Sequence, residues 1–235
     1  MKKGILRIIV LAAVMLCLVY VTGAAAGPSK VLPPQSYAYG ESLAEWSEIY
    51  WRWTYTDWTP GNPSAQVPSY VGRVALMPIP VGEVTGGSYT PEDPLILTGS
   101  IDVTLKPGTP FVLPLFAWVL ERYEGYPAVP DDSRLDEGQF KVTAEVNLDG
   151  KPIVTNFWDY YVEGQIDPPA FYAETSSYGS VAAIYFQGVT IVVAPLTPGT
   201  HTLTLNETYV IDAFCPGWPC FGIIYQNTWN ITVKQ

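Results

Sequence analysis

Two pairs of carboxylates lie among aromatic residues in a way that could support acid–base chemistry. Glu121 and Glu124 occur in FAWVLERYEGY, and Asp159 and Glu163 in NFWDYYVE. A glycoside hydrolase needs two such groups on either side of a sugar, one of them kept protonated by its surroundings. Glu121 and Asp159 are the pair to which that chemistry would fall. The competing reading leaves each carboxylate in solvent or paired, Glu121 and Glu124 with the neighbouring Arg122. A third acidic group, Asp131, Asp132 and Asp136 in PDDSRLDEG, offers hard oxygen ligands. Calcium is the one metal that these would suit, although their spacing is not that of an EF-hand and a solvated acidic loop competes. No other cofactor is indicated.

Other mechanisms are excluded or demoted by residue type. The chain of 235 residues has a single histidine, His201. A Ser-His-Asp hydrolase would have to use it, and zinc or copper sites built on several histidines cannot form. Its alternation places His201 in phase with Leu203 and Leu205, as a structural histidine bonding nearby backbone. There is no G-x-S-x-G elbow and no glycine-rich phosphate loop ahead of a helix. With 22 acidic against 12 basic residues the net charge is −10. That excludes binding through the phosphate backbone of nucleic acid and docking on anionic membranes. It also weighs against a tyrosine-based lyase acting on polyanionic sugars.

The abundant chemistry is aromatic, with 8 tryptophans and 16 tyrosines. Such rings stack on sugar faces and anchor protein interfaces, but they also fill cores. Trp46 and Trp53 read as core. Trp51, Trp118, Trp158 and Tyr161 are the candidates for a ligand-binding surface. Trp218 joins them, at the tip of the turn in FCPGWPCF, where packing on the adjacent prolines is the alternative.

The elements that must position these residues begin after a leader. Residues 1–26 combine Lys2, Lys3 and Arg7, an apolar run from Ile8 to Val21, and Gly23-Ala24-Ala25-Ala26. That is the pattern of a cleaved secretory signal, with a retained membrane anchor as the competing reading. The VMLC around Cys17 lacks the small residue of a lipoprotein site. Cys215 and Cys220 flank a Pro-Gly-Trp-Pro turn, and in an oxidising compartment they most simply form a disulfide. A redox or zinc pair competes, but zinc would lack further ligands. The mature product is expected outside the cytoplasm, secreted or at the cell surface or periplasm, with no integral span after signal removal.

Residues 27–38 read as a leader or linker, and 39–235 as one domain. Ser42 and Glu45 have the spacing of a capping box that starts a helix over 42–54. Leu43, Trp46, Tyr50 and Trp53 form its apolar stripe, and Trp51 lies off it. Beyond it the pattern has a period of two. Strands are expected at 71–77, 100–105, 110–120, 140–148, 153–163, 181–185, 189–194, 201–210 and 227–233. Asp149-Gly150 marks a hairpin. The segment 110–120 is apolar on both faces, with Phe111, Leu113 and Leu115 on one and Val112, Phe116 and Trp118 on the other. Such a strand needs a second cover, and the tryptophan helix is the natural one. Gly and Pro number 20 and 22 and fall between short apolar runs as turn makers. The expected fold is mainly β: an antiparallel two-sheet sandwich, jelly-roll or immunoglobulin-like, with one N-terminal amphipathic helix packed on it. Sequons at Asn206 and Asn230 fall on the outward phase of their strands and permit glycosylation in a host that has the machinery.

The segment YGESLAEWSEIYWRW, with Tyr39-Gly40, Ser42, Trp46-Ser47, Trp51 and Trp53, resembles the opening of an uncharacterised family of secreted microbial proteins. Tyr50 stands where that family usually has tryptophan. LKPGTPFVLPLFAWV is similar to its central hairpin, PLTPGTHTLTL to its late Pro-Gly-x-His turn, and TWNITV to its last strand. The resemblance implies an exported β-rich domain and supplies no activity. The function expected is a secreted binding or cell-surface module that engages a glycan or an envelope protein through exposed aromatics. The alternative is an extracellular glycan hydrolase using Glu121 and Asp159.

Overall fold

The computed structural model describes residues 30–57, 66–123, 141–166, 181–212 and 220–234. Helix α1 spans Leu43–Asp57. Its start is the expected capping box: the Glu45 amide donates to Ser42 Oγ at 3.3 Å, and the Ser42 amide to Glu45 Oε2 at 2.7 Å. These bonds satisfy amides that a helix start would otherwise leave open. The strands are β1 (Ser69–Val71), β2 (Val74–Leu76), β3 (Glu83–Gly86), β4 (Leu95–Leu105) and β5 (Phe111–Tyr123). After them come β6 (Lys141–Leu148), β7 (Lys151–Pro152), β8 (Tyr161–Ile166), β9 (Val181–Val193), β10 (Gly199–Ile211) and β11 (Phe221–Val233). They form two sheets, ordered β1-β2-β5-β9-β8 and β3-β4-β11-β10-β6-β7.

The two-sheet sandwich with a covering helix is therefore as expected, but both sheets are mixed. β2 runs parallel to β5, and β4 parallel to β11. Parallel partners need long connections, and each of these pairs is separated in sequence by strands of the opposite sheet.

Helix α1 covers the outer face of the first sheet, against β5, β8 and β9. Leu43, Trp46 and Tyr50 are buried there with Val112, Ile184 and Phe186. Each large side chain buried this way contributes about 2 kcal/mol. The polar tips on this face are also partnered. Trp46 Nε1 donates to the Ala38 carbonyl at 2.7 Å, Tyr50 Oη to the Met77 carbonyl at 2.6 Å, and Ser47 Oγ meets Thr190 Oγ1 at 3.0 Å. Trp53 is only half-buried, at the margin of this cluster. A second core fills the space between the sheets, where Ile101, Val103, Leu105, Leu203, Leu205, Trp229 and Ile231 meet Phe111, Leu113 and Val189.

Several boundaries differ from the expectation, each for a local reason. The segment 71–77 is a tight hairpin, with Gly72 at φ +59° turning the chain between β1 and β2. The Asp149-Gly150 turn forms, both residues having positive φ, but its return strand is only Lys151–Pro152. The Ile153 amide still donates to the Val146 carbonyl at 3.0 Å before the chain leaves β6. The chain then makes a 3₁₀ turn over Phe157–Tyr160 and enters the other sheet as β8. The expected break near Gly188 does not occur. β9 is one strand, and a Cβ at Gly188 would lie 2.2 Å from the Phe116 carbonyl oxygen, so only glycine allows that approach. Residues 30–32, expected as leader, pair with the part of β9 that β8 leaves open: Leu32 N bonds Val192 O, and Ala194 N bonds Lys30 O.

The two faces of β5 also need correction. Its register against β9 shifts between Pro114 and Phe116. Pro114 lacks a donor, and the extra residue of the bulge reverses the alternation beyond it. Phe116 and Trp118 therefore face the second sheet with Phe111, Leu113 and Leu115 rather than joining Val112 under the helix.

Candidate functional site

Beyond this bulge the sheets enclose a cavity of about 360 Å³. Pro114–Trp118 of β5 form one wall, and the inward residues of β10 and β11 form the other. Trp51 reaches in from α1, Ile79 from the segment after β2, and Tyr89 from the β3–β4 loop. Tyr89, Phe221 and Tyr225 are partly exposed and make the rim. Trp229, Glu207 and Asn227 are buried at 1, 3 and 5 % exposure and make the floor.

The aromatic rings brace one another. Tyr89 stacks on Phe221 with centroids 4.9 Å apart and planes 9° from parallel. Phe221 meets Tyr209 edge-on at 5.4 Å, and Tyr209 contacts Phe116 at 5.2 Å and Trp118 at 6.3 Å. Tyr89 holds a φ of +63°, a conformation seldom taken by a side-chain-bearing residue. The loop imposes it through bonds that converge on Asp93: Ser88 N and Thr90 N to its carbonyl, and Ser88 Oγ to its carboxylate. Trp229 is held by a 2.7 Å bond from Nε1 to the Pro78 carbonyl.

Glu207 is the chemical exception in this apolar space. It follows Leu203 and Leu205 on the inward phase of β10, and its Oε1 meets no hydrogen-bond partner among the described residues. Burial pushes its carboxyl up to about 8, so at neutral pH it is a protonated acid in an aromatic chamber. No Lys, Arg or His lines the cavity among the described residues. Burial likewise raises the phenols of Tyr209 and Tyr225, helped by the neighbouring acid groups.

Of the expected ligand-binding residues, Trp51 and Trp118 come together here. Trp158 and Tyr161 sit elsewhere, beside β8. Their rings are 6.3 Å apart and half-buried, and Tyr161 Oη bonds Glu163 at 3.3 Å. Trp218, Cys215 and the acidic residues Asp131, Asp132 and Asp136 lie outside the described residues. Among the described residues no cluster of three or more His, Cys, Asp or Glu could hold a metal ion. Asp159 is exposed and accepts a 2.6 Å bond from Asn156. The backbone of Glu121 lies level with Ile184 and Ile166, whereas Asp159 precedes Tyr161, five residues back along β8. At the rise of a strand this sets Tyr161 about 17 Å along the sheet from the level of Glu121, with Asp159 in the 3₁₀ turn before it. The ladder does not bring the pair to opposite sides of one sugar.

His201 is the structural histidine expected, half-buried after its turn, with one bond to the carbonyl of Thr197 at 2.8 Å. Its other nitrogen meets Asp149 Oδ2 at 2.8 Å, while Asp149 Oδ1 takes the Thr202 amide at 2.9 Å. Two acceptors face two ring nitrogens, so only the imidazolium donates to both. Burial pulls its pKa down, but the bonds to Asp149 and Thr197 outweigh this and hold it above the ordinary range. Asn206 and Asn230 are exposed on their outward phases, and Asn230 Nδ2 donates to Asp102 at 2.9 Å.

Glu207, Tyr209, Tyr225 and Asn227 were not singled out from the sequence, nor were Tyr89 and Phe221. For Glu207 the signal was present, since a strand with Asn206 facing out must face Glu207 in. Tyr89 carried no such signal, because its place depends on loop geometry. No family model, curated protein or solved structure matches the chain. Among the described residues no helix is long and apolar enough to cross a membrane.

Proposed function

We propose that the chain is an exported binding module whose site is the aromatic cavity between its sheets. One observation carries this: a carboxyl group, nine-tenths or more buried, faces an aromatic chamber open at a tyrosine rim and leaves one oxygen without a partner. Burying a polar atom unpaired costs about 1–3 kcal/mol, a cost that a ligand's own donor would remove. A concave apolar pocket with one or two convergent polar groups is the usual form of a small-ligand site. Its occupant is a small molecule or the terminal group of a glycan or envelope protein, gripped by Trp51, Trp118 and the rim tyrosines. The reading calls for no cofactor and no catalytic pair. Export by residues 1–26, membership of the secreted family and a Cys215–Cys220 disulfide belong to the same proposal. The test is a small-molecule and glycan screen read by tryptophan fluorescence. Hits should lose at least tenfold in affinity in Trp118→Ala, roughly the loss of one stacked ring. Hits indifferent to Trp118, Trp51 and Tyr89 would overturn the assignment.

A further inference from the structure

We infer that the group this cavity takes is an organic ammonium ion, bound with its N–H on the carboxylate of Glu207 and its carbons against the aromatic walls. The inference rests on the binding-module reading above and names the chemistry of its ligand. Three independent features point the same way. First, Glu207 is 3 % exposed, its Oε1 is unpartnered, and no cation lines the cavity among the described residues. Among the described residues no cation is placed to pair with its carboxylate form. Second, the walls carry indole and phenol faces, whose negative quadrupoles attract cations, most strongly when desolvated. Third, the chain's net charge of −10 draws cations toward it and repels anions. A neutral sugar would leave the cation-attracting ring faces unanswered, and an anion would be repelled by them.

Among the described residues the titratable groups that line the cavity with Glu207 are phenols: Tyr209 on its own strand, Tyr225 on β11 and Tyr89 from the loop. The β5 wall and Trp51 of α1 contribute none. In the free protein the carboxyl holds its proton up to about pH 8. An incoming ammonium needs the carboxylate, so binding below that pH sends the carboxyl proton to solvent. The balance is R–NH₃⁺ plus protein–COOH giving the ion pair plus H⁺.

The experiment is isothermal titration of the purified protein with n-hexylamine and with its neutral isostere 1-hexanol. Each runs at pH 6.5 in two buffers of different ionisation enthalpy, and again at pH 9. At pH 9 the amine should bind about tenfold or more tighter than the alcohol, the margin of a charge-assisted bond over a neutral one. Its affinity should fall about tenfold for each pH unit below about 8, where the carboxyl proton must be displaced. It should release about one proton at pH 6.5 and almost none at pH 9. Glu207→Gln, isosteric and uncharged, should erase both the preference and the proton release. Glucosamine against glucose then separates the sources of the ammonium. Preference for glucosamine assigns an amino sugar, and its absence assigns a free amine. Equal binding of hexylamine and hexanol at pH 9, or amine binding without proton release at pH 6.5, would overturn the ammonium inference and leave the pocket reading standing. If neither ligand binds and the wider screen finds none, the pocket reading falls with it. The proton count is made on the unmodified protein, so the test stands even if the variant folds poorly.

Discussion

Replacing Glu207 by Gln should make the protein more stable in alkali, by an amount set by burial alone. The carboxyl titrates near 4.5 when solvated and is pushed up to about 8 in the fold. Between those values the native state holds a proton that the unfolded chain has released. Stability therefore falls as pH rises across that window, and the fall ends near pH 8. With 1.36 kcal/mol for each unit of displacement, the loss comes to about 5 kcal/mol. That is a third or more of the whole stability of an ordinary domain. Gln fills the same volume and carries no charge, so its variant has no such slope. Urea unfolding of both proteins at pH 5, 7 and 9 isolates the effect, because every other titrating group cancels in the difference. The two should lie within about 1 kcal/mol of each other at pH 5, and Glu207→Gln should lead by several at pH 9. A difference that stays constant with pH would mean that Glu207 reaches water or a partner, and the chamber as described would be wrong.

Further predictions concern the frame around the chamber. His201 has its pKa raised, so its bond to Asp149 stabilises the fold at pH values below the ordinary histidine range and fades as pH rises through the raised value. Asp149→Asn should flatten that dependence and cost about 1 kcal/mol at pH 5, read by thermal unfolding. Ser42→Ala removes the capping box and should cost about 1 kcal/mol with the sandwich intact. Gly188→Ala sets a Cβ 2.2 Å from the Phe116 carbonyl oxygen, and should cost about 3 kcal/mol or more as β5 and β9 part at the bulge. Tyr89→Ala opens the rim above Phe221, and should weaken ligand binding while leaving the unfolding midpoint nearly unchanged.

Much of the fold was legible because local chemistry writes it. The Ser42–Glu45 box starts the helix, and clean alternation in 100–105 and 140–148 sets which side chains face in. The Asp149-Gly150 pair makes the turn that its residue types require. What could not be read was non-local. A single proline at 114 shifts the β5 register and sends Phe116 and Trp118 to the opposite face, a change that simple alternation does not register. Parallel pairing of β2 with β5 and of β4 with β11 is decided by packing across long connections. The site divides the same way. Trp51 is marked by lying off the helix stripe, and Trp118 only by belonging to the aromatic excess. Glu207 follows the outward Asn206 and so falls on the inward phase of β10, which is the one signal of it in the sequence. Tyr89 depends on a strained loop whose bonds only the folded chain reveals.

Carbon NMR of the glutamate side chains observes the buried, protonated carboxyl of Glu207 directly. With ¹³C at Cδ, one resonance, absent in Glu207→Gln, should titrate near pH 8 in the free protein. Saturating hexylamine should move that midpoint down by about two units or more, as the ammonium stabilises the carboxylate. A Glu207 resonance that titrates near 4.5, or one indifferent to the amine, would contradict the account.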